Sequence, residues 1–96
     1  MSADIVKSLL KEASEVAWAS KKIQNIENNH KRRFFANQNA MKAAKCTLDL
    51  NRMGQEKIAI ETGVISAFLF LLGGHYGQVL SSAEALHTFA ENTRFE

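Results

Sequence analysis

The chain has 96 residues, with no proline and a single cysteine, Cys46. Without proline, no residue locks φ or removes a backbone donor, which favours long uninterrupted helices. One cysteine excludes an intramolecular disulfide, on which small secreted domains usually depend. The N-terminal residues lack the basic and apolar regions of a signal peptide. We therefore expect a cytoplasmic protein.

Long apolar runs are also missing. The longest runs from Ala67 to Leu72, whereas a spanning helix needs about 20 apolar residues. We predict no transmembrane segment, although a helix lying in a membrane interface stays open between Val64 and Leu80. Catalytic motifs are absent as well: there is no phosphate-binding loop, nucleophile elbow or Cys-x-x-Cys motif. We expect Cys46 to be a buried, inert thiol and the protein to be non-enzymatic, with no cofactor.

Helical periodicity dominates the sequence. Apolar residues recur at alternating spacings of three and four, which predicts a first helix from about Ala3 to Asn28. Asparagines compete for backbone hydrogen bonds, so we predict a turn between Asn28 and Asn39. A second helix from about Asn39 to Leu72 follows, with a possible kink between Asn51 and Gly54. The alternative is one continuous helix, because the periodicity persists through Phe34, which is then expected to face the core.

The C-terminal part carries two further helix signals. Gly73 and Gly74 form a strong helix stop. Ser81 and Glu84 match the capping box, predicting a short helix from about Ser82 to Asn92. No strand pattern or internal repeat is visible. The predicted fold is a single all-α domain over residues 1–96: a helical hairpin of two long helices plus a short C-terminal helix.

The later part of the second predicted helix is apolar nearly all round, and a helix of this kind is normally buried on every side. The short third helix is too small to cover it. We therefore expect a homo-oligomeric helical bundle. The predicted oligomer interface comprises Ile58, Val64, Ile65, Phe68, Leu69 and Leu72.

Positive charge is concentrated in one segment. Seven of the twelve Lys and Arg residues lie from Lys21 to Lys45, where Glu27 is the only acid. Such a cluster favours an anionic partner, whether an acidic protein, a nucleotide or a nucleic acid. With Phe34 in the core, the segment offers charge without base recognition. The predicted anion-binding or partner-binding residues are Lys21, Lys22, His30, Lys31, Arg32 and Arg33.

Two Glu-x-x-His pairs, Glu27 with His30 and Glu84 with His87, match a pattern found in di-metal helical bundles. Pairing of acid and imidazole on a helix surface is the simpler explanation, and we assign no metal ligand. The sequence predicts a small helical adaptor, inhibitor or sequestering protein. The alternatives are a nucleic-acid or nucleotide-binding protein that uses the basic segment, and a carboxylate/His metal-binding bundle.

Overall fold

Three helices make up the described part of the molecule. The computed structural model describes residues 2–75 and residue 87, with α1 at Ser2–Ile23, α2 at Asn29–Arg52 and α3 at Glu56–Leu72. Over this part the secondary structure is helical with no strand, which confirms the all-α class. α2 packs against both other helices, and its contact with α3 is the most extensive. None of the described helices is long and apolar enough to cross a membrane.

The predicted hairpin of two long helices is wrong, because the second predicted helix is divided. α2 ends at Arg52, and the chain turns through residues 53–55 before α3 begins. Gly54 has φ of +76°, a left-handed conformation that glycine adopts without steric cost. The N–H of Gln55 donates to the carbonyl of Leu50 at 2.9 Å and closes the helix end. The predicted kink is therefore a reversal of chain direction.

The first turn lies earlier than predicted, over residues 24–28, and this excludes one continuous helix. Asn28 caps α2, since its Oδ1 accepts a hydrogen bond from the backbone N–H of Lys31 at 3.0 Å. Asn39 lies inside α2 and does not break it: its Nδ2 donates to the carbonyl of Phe35 at 2.9 Å. One asparagine therefore starts the helix, while another is accommodated within it.

Small side chains of α2 form the centre of the core. Ala40 is completely buried, and its carbonyl accepts a 2.9 Å hydrogen bond from Oγ of Ser66 in α3. Alanine has no side chain beyond Cβ, so α2 and α3 can approach closely here. Larger residues fill both ends of the interior, with Leu69 towards one end and Leu50 towards the other. The buried face of α2 comprises Ala36, Ala40, Ala43, Cys46, Thr47 and Leu50.

The prediction that Phe34 faces the core is wrong, because its side chain is 61% exposed. α2 carries two faces with helical spacing, one of alanines and one of large apolar residues. The alanine face is buried because α2 contacts both α1 and α3. The large apolar face therefore points to solvent.

The predicted glycine stop after α3 is confirmed. Gly74 has φ of +79°, and the N–H of His75 donates to the carbonyl of Phe70 at 2.9 Å. Gly73 matters for a different reason, since α2 approaches it closely through Asn37, whose Nδ2 donates to the Gly73 carbonyl at 3.5 Å. The predicted helix from Ser82 to Asn92 lies outside the described residues, His87 excepted.

Gly73→Ala tests this close approach. Gly73 has φ of −80°, which alanine tolerates, but an added Cβ would overlap Oδ1 of Asn37. We expect a loss of about 1.5 kcal/mol in the free energy of unfolding, measured by urea denaturation, as the amide is displaced. The double variant Asn37→Ala/Gly73→Ala should be no less stable than Asn37→Ala alone. Additive losses would show that the overlap is not the cause.

Candidate binding surface on the second helix

The solvent face of α2 carries a row of large apolar side chains, here called the apolar column. Phe34, Met41 and Leu48 are 61%, 67% and 50% exposed. A spacing of seven residues places side chains almost in line along a helix. At 1.5 Å per residue the column is about 21 Å long. It lies on the opposite side of α2 from the buried alanines.

A second row, here called the cationic column, runs beside the apolar column. It consists of Lys31, Gln38, Lys45 and Arg52, again seven residues apart and all exposed. The first three members each precede a residue of the apolar column by three positions, and Arg52 follows Leu48 by four, so the two rows are adjacent.

Much of the charge in the cationic column is available to a partner. Lys31 and Lys45 form no ion pair within the described part of the chain. Arg52 approaches Asp49 at 3.6 Å, but its side chain is 75% exposed. An ion pair this exposed contributes little to stability and is easily exchanged for another. With respect to the described residues, the column therefore offers two unpaired lysines and one weakly paired arginine.

A groove borders the other side of the apolar column. It lies between α2 and α3, has a volume of about 330 Å³ and is mostly apolar. Met41 belongs both to the apolar column and to the groove wall, and Phe70 forms part of the opposite wall. The surface is therefore a ridge with charge on one side and a concave apolar channel on the other. The groove is lined by Asn37, Met41, Ala44, Phe70 and His75.

The predicted anion-binding residues lie around the turn between α1 and α2. Lys21 and Lys22 are in the last turn of α1, and four others lie at the start of α2. All are exposed apart from Arg32, which is half-buried. Nζ of Lys22 lies 5.3 Å from the centroid of the Trp18 ring, within cation–π range. The residues at the start of α2 are His30, Lys31, Arg32 and Arg33.

Arg32 has a structural role in this cluster. Its guanidinium donates to the carbonyl of Ile26 at 2.8 Å and also to Oδ1 of Asn29. These bonds hold residues 24–28 against the first turn of α2. The charge of Arg32 is thus committed to the turn, whereas Lys31 and Arg33 make no side-chain hydrogen bond or ion pair with described residues.

The electrostatics of the two helix ends differ. Lys21 and Lys22 sit at the negative end of the α1 dipole, where cations are stabilised. The first turn of α2 contains no acid, and Lys31 and Arg33 lie near its positive end. Cations at that end are disfavoured in the free protein. A bound anion would relieve this repulsion.

The structure divides the predicted oligomer-interface residues into three groups. Leu69 is completely buried in the core and is inaccessible to a partner. Val64 and Phe68 are exposed on α3, together with Leu71, which the sequence analysis did not single out. The rest are half-buried and pack against the core: Ile58, Ile65 and Leu72.

The Glu27–His30 pair does not share a helix face. Glu27 lies in the turn before α2, and His30 lies inside the helix. Among the described residues, no group of three or more His, Cys, Asp or Glu side chains could hold a metal ion. Glu84 of the second pair lies outside the described residues.

Cys46 is buried as expected, and its Sγ donates to the carbonyl of Leu9 at 3.4 Å. Burial raises the pKa of the thiol from 9.0 to about 11, and the nearby carboxylates of Glu12 and Asp49 add to the shift. The neutral thiol is not nucleophilic. Cys46 is therefore a packing residue at neutral pH.

Two measurements follow from this pKa. Alkylation of native Cys46 by iodoacetamide at pH 8, followed by mass spectrometry, should be roughly 100-fold slower than in urea. Between pH 9 and 11 the unfolded thiol loses a proton that the folded thiol retains, so stability should fall as pH rises. Cys46→Ala should remove that part of the pH dependence. Rapid alkylation of the native protein would contradict the assignment.

Sequence reasoning identified the basic turn but missed the two columns. The signal was present, since large apolar residues recur every seven positions from Phe34 to Leu48, and cations occupy three of the four positions with the same spacing from Lys31 to Arg52. Identifying it required knowing that the alanine face is buried. No protein-family model, no curated protein and no solved structure matches this chain.

Proposed function

We propose that this chain is a non-enzymatic binding protein, an adaptor, inhibitor or sequestering protein, whose binding surface is the solvent face of α2 and whose partner is anionic. One observation carries the proposal: the apolar column and the cationic column lie side by side, opposite the buried Ala40. Contiguous exposed apolar side chains flanked by polar residues mark interaction sites. The proposal includes a reducing, cytoplasmic location, which the lone buried Cys46 supports.

The two columns would contribute differently to binding. Burying a side chain such as Phe34 or Met41 against a partner contributes about 1.5–3 kcal/mol. Exposed charges such as Lys45 contribute less affinity but accelerate association and exclude cationic partners. Affinity would therefore come mainly from the apolar column, and selectivity from the cationic column.

Polyglutamate and polylysine, compared as immobilised probes, test the sign of the partner. The protein should be retained on polyglutamate, less strongly as salt rises, and not on polylysine. Lys31→Glu/Lys45→Glu should abolish retention. The matched control Lys7→Glu/Lys57→Glu makes the same change in net charge at exposed positions of α1 and α3, and should retain most binding. Equal losses in the two variants would show that net charge, rather than the face of α2, determines retention.

Self-association belongs to the same proposal. Val64, Phe68 and Leu71 give α3 an exposed apolar face, and a symmetric homo-oligomer would bury it. Sedimentation velocity at micromolar concentration should show an oligomer that Phe68→Glu dissociates. A stable monomer would remove this part of the proposal without affecting the face of α2.

A specific observation favours nucleic-acid binding as the second candidate. Phe34 and Phe35 are both exposed, with ring centroids 5.4 Å apart, beside Lys31 and Arg33. Exposed aromatic faces can stack on bases while cations contact phosphates. Lys31→Glu/Arg33→Glu is the appropriate charge variant, because changing Arg32 would also disturb the turn. Salt-sensitive binding to a single-stranded oligonucleotide in preference to polyglutamate would favour this candidate.

A further inference from the structure

We propose that the segment bound at this surface is an acidic amphipathic α-helix of a partner protein, seated in the groove between α2 and α3. This inference rests on the proposed function and specifies its partner. Three features of the described residues carry it: the shape of the groove, the spacing of the apolar column and the placement of the cationic column along one side of it.

The shape favours a helix. The groove between Met41 and Phe70 is concave and open to solvent, with a volume of about 330 Å³. A row of side chains on another helix fits such a channel at an interaxial distance of about 8–10 Å. A flat bilayer surface cannot enter a concavity, and the described part of the chain has no strand edge for an extended peptide to pair with.

The spacing of the apolar column also favours a helix. Phe34, Met41 and Leu48 repeat every seven residues, which is the period that keeps two packed helices in register. A partner helix with its own apolar residues at spacings of three and four would interdigitate with this column along its length of about 21 Å. A globular surface would not need a regular heptad repeat.

The cations fix the character and orientation of the partner helix. Lys31, Lys45 and Arg52 lie on one side of the apolar column, while the side facing the groove carries Asn37 and Ala44, with a cation, Arg33, only one turn before Asn37. The complementary helix has acids along one edge and apolar residues beside them. A helix that lies in a bilayer meets headgroups along the whole of both flanks of its apolar face, whereas the groove flank here has a cation only at its first turn.

Two synthetic helical peptides of four heptads each provide the test. Both carry one leucine stripe at three-four spacing, with glutamates along one edge in the first peptide and lysines in the second. Fluorescence anisotropy with the full chain at physiological salt should show binding of the glutamate peptide at least tenfold tighter than that of the lysine peptide. Lys31→Glu/Lys45→Glu should reverse the preference. Vesicles containing phosphatidylserine serve as the membrane probe and should not bind.

Each outcome decides a different point. If both peptides bind equally, the inference of an acidic partner helix is wrong and the proposed function stands. The same holds if neither peptide binds while the face of α2 still binds polyglutamate. Vesicle binding that Met41→Glu abolishes would replace the helix with a membrane surface. If the wild-type protein binds neither the peptides nor polyglutamate, both the inference and the proposed function are wrong. Circular dichroism of each variant establishes that it is folded.

Discussion

Replacing Ala40 by leucine is expected to lower the free energy of unfolding by about 3 kcal/mol, a large share of the stability of a small domain. Ala40 is completely buried where α2 meets α3, so there is no space for the three carbon atoms that leucine adds. Separating the helices would also break the 2.9 Å hydrogen bond from Ser66 Oγ to the Ala40 carbonyl. Leucine and alanine differ little in helix propensity, so the loss would report packing.

Gln38→Leu is the matched control for this prediction. It introduces the same side chain at an exposed position of the same helix and should change stability by less than about 0.5 kcal/mol. Urea denaturation followed by circular dichroism measures both variants. Comparable stability of Ala40→Leu and Gln38→Leu would mean that the alanine face of α2 is not the buried one, which would remove the basis of the proposed binding surface.

Met41→Glu is expected to weaken binding of the glutamate peptide by about 30-fold or more while leaving the fold intact. The side chain is 67% exposed, so the protein loses little packing within itself. A partner would lose the apolar contact of the methionine, of about 2 kcal/mol, and would meet a repulsive charge. Fluorescence anisotropy gives the change in affinity, and circular dichroism gives the fold.

Ile5→Glu is the matched control for Met41→Glu. Ile5 is an exposed apolar residue of α1, outside the apolar column, although it borders Arg52 at the end of the cationic column, and the substitution changes net charge by the same amount. Its effect on binding should be small, about threefold or less, because no apolar contact with the partner is lost and the new charge acts only through electrostatics, mainly at Arg52. Equal weakening by both substitutions would show that net charge alone governs the interaction.

Much of the fold could be predicted from local signals. The period of α1 and the glycine stop at Gly74 were readable because each depends on nearby residues alone. The division at Gly54 was read as a kink, because helical periodicity continues on both sides of it. Whether the chain continues in the same direction after Gly54 or reverses depends on where the next helix packs, and here α3 packs against α2. The packing of α3 against α2 is a tertiary contact, which a local sequence pattern does not reveal.

The candidate site was likewise predictable where it depends on local sequence and not where it depends on tertiary contacts. The basic turn was visible as a charge cluster, but the structural role of Arg32 depends on its bond to the Ile26 carbonyl six residues earlier. Phe34 was assigned to the core because it lies on a stripe of residues with helical spacing. Because α2 packs between α1 and α3, its face of small residues such as Ala40 is buried instead. Small side chains allow the helices to approach closely.

The central claim is that an acidic partner binds the solvent face of α2. Methionine-methyl NMR tests it most directly, because the chain has three methionines, with Met41 in the apolar column and Met53 half-buried beyond the end of α2. On addition of polyglutamate to saturation, the Met41 methyl signal, assigned through Met41→Leu, should shift while that of Met53 stays in place. Saturable binding that leaves the Met41 signal unchanged would contradict the account.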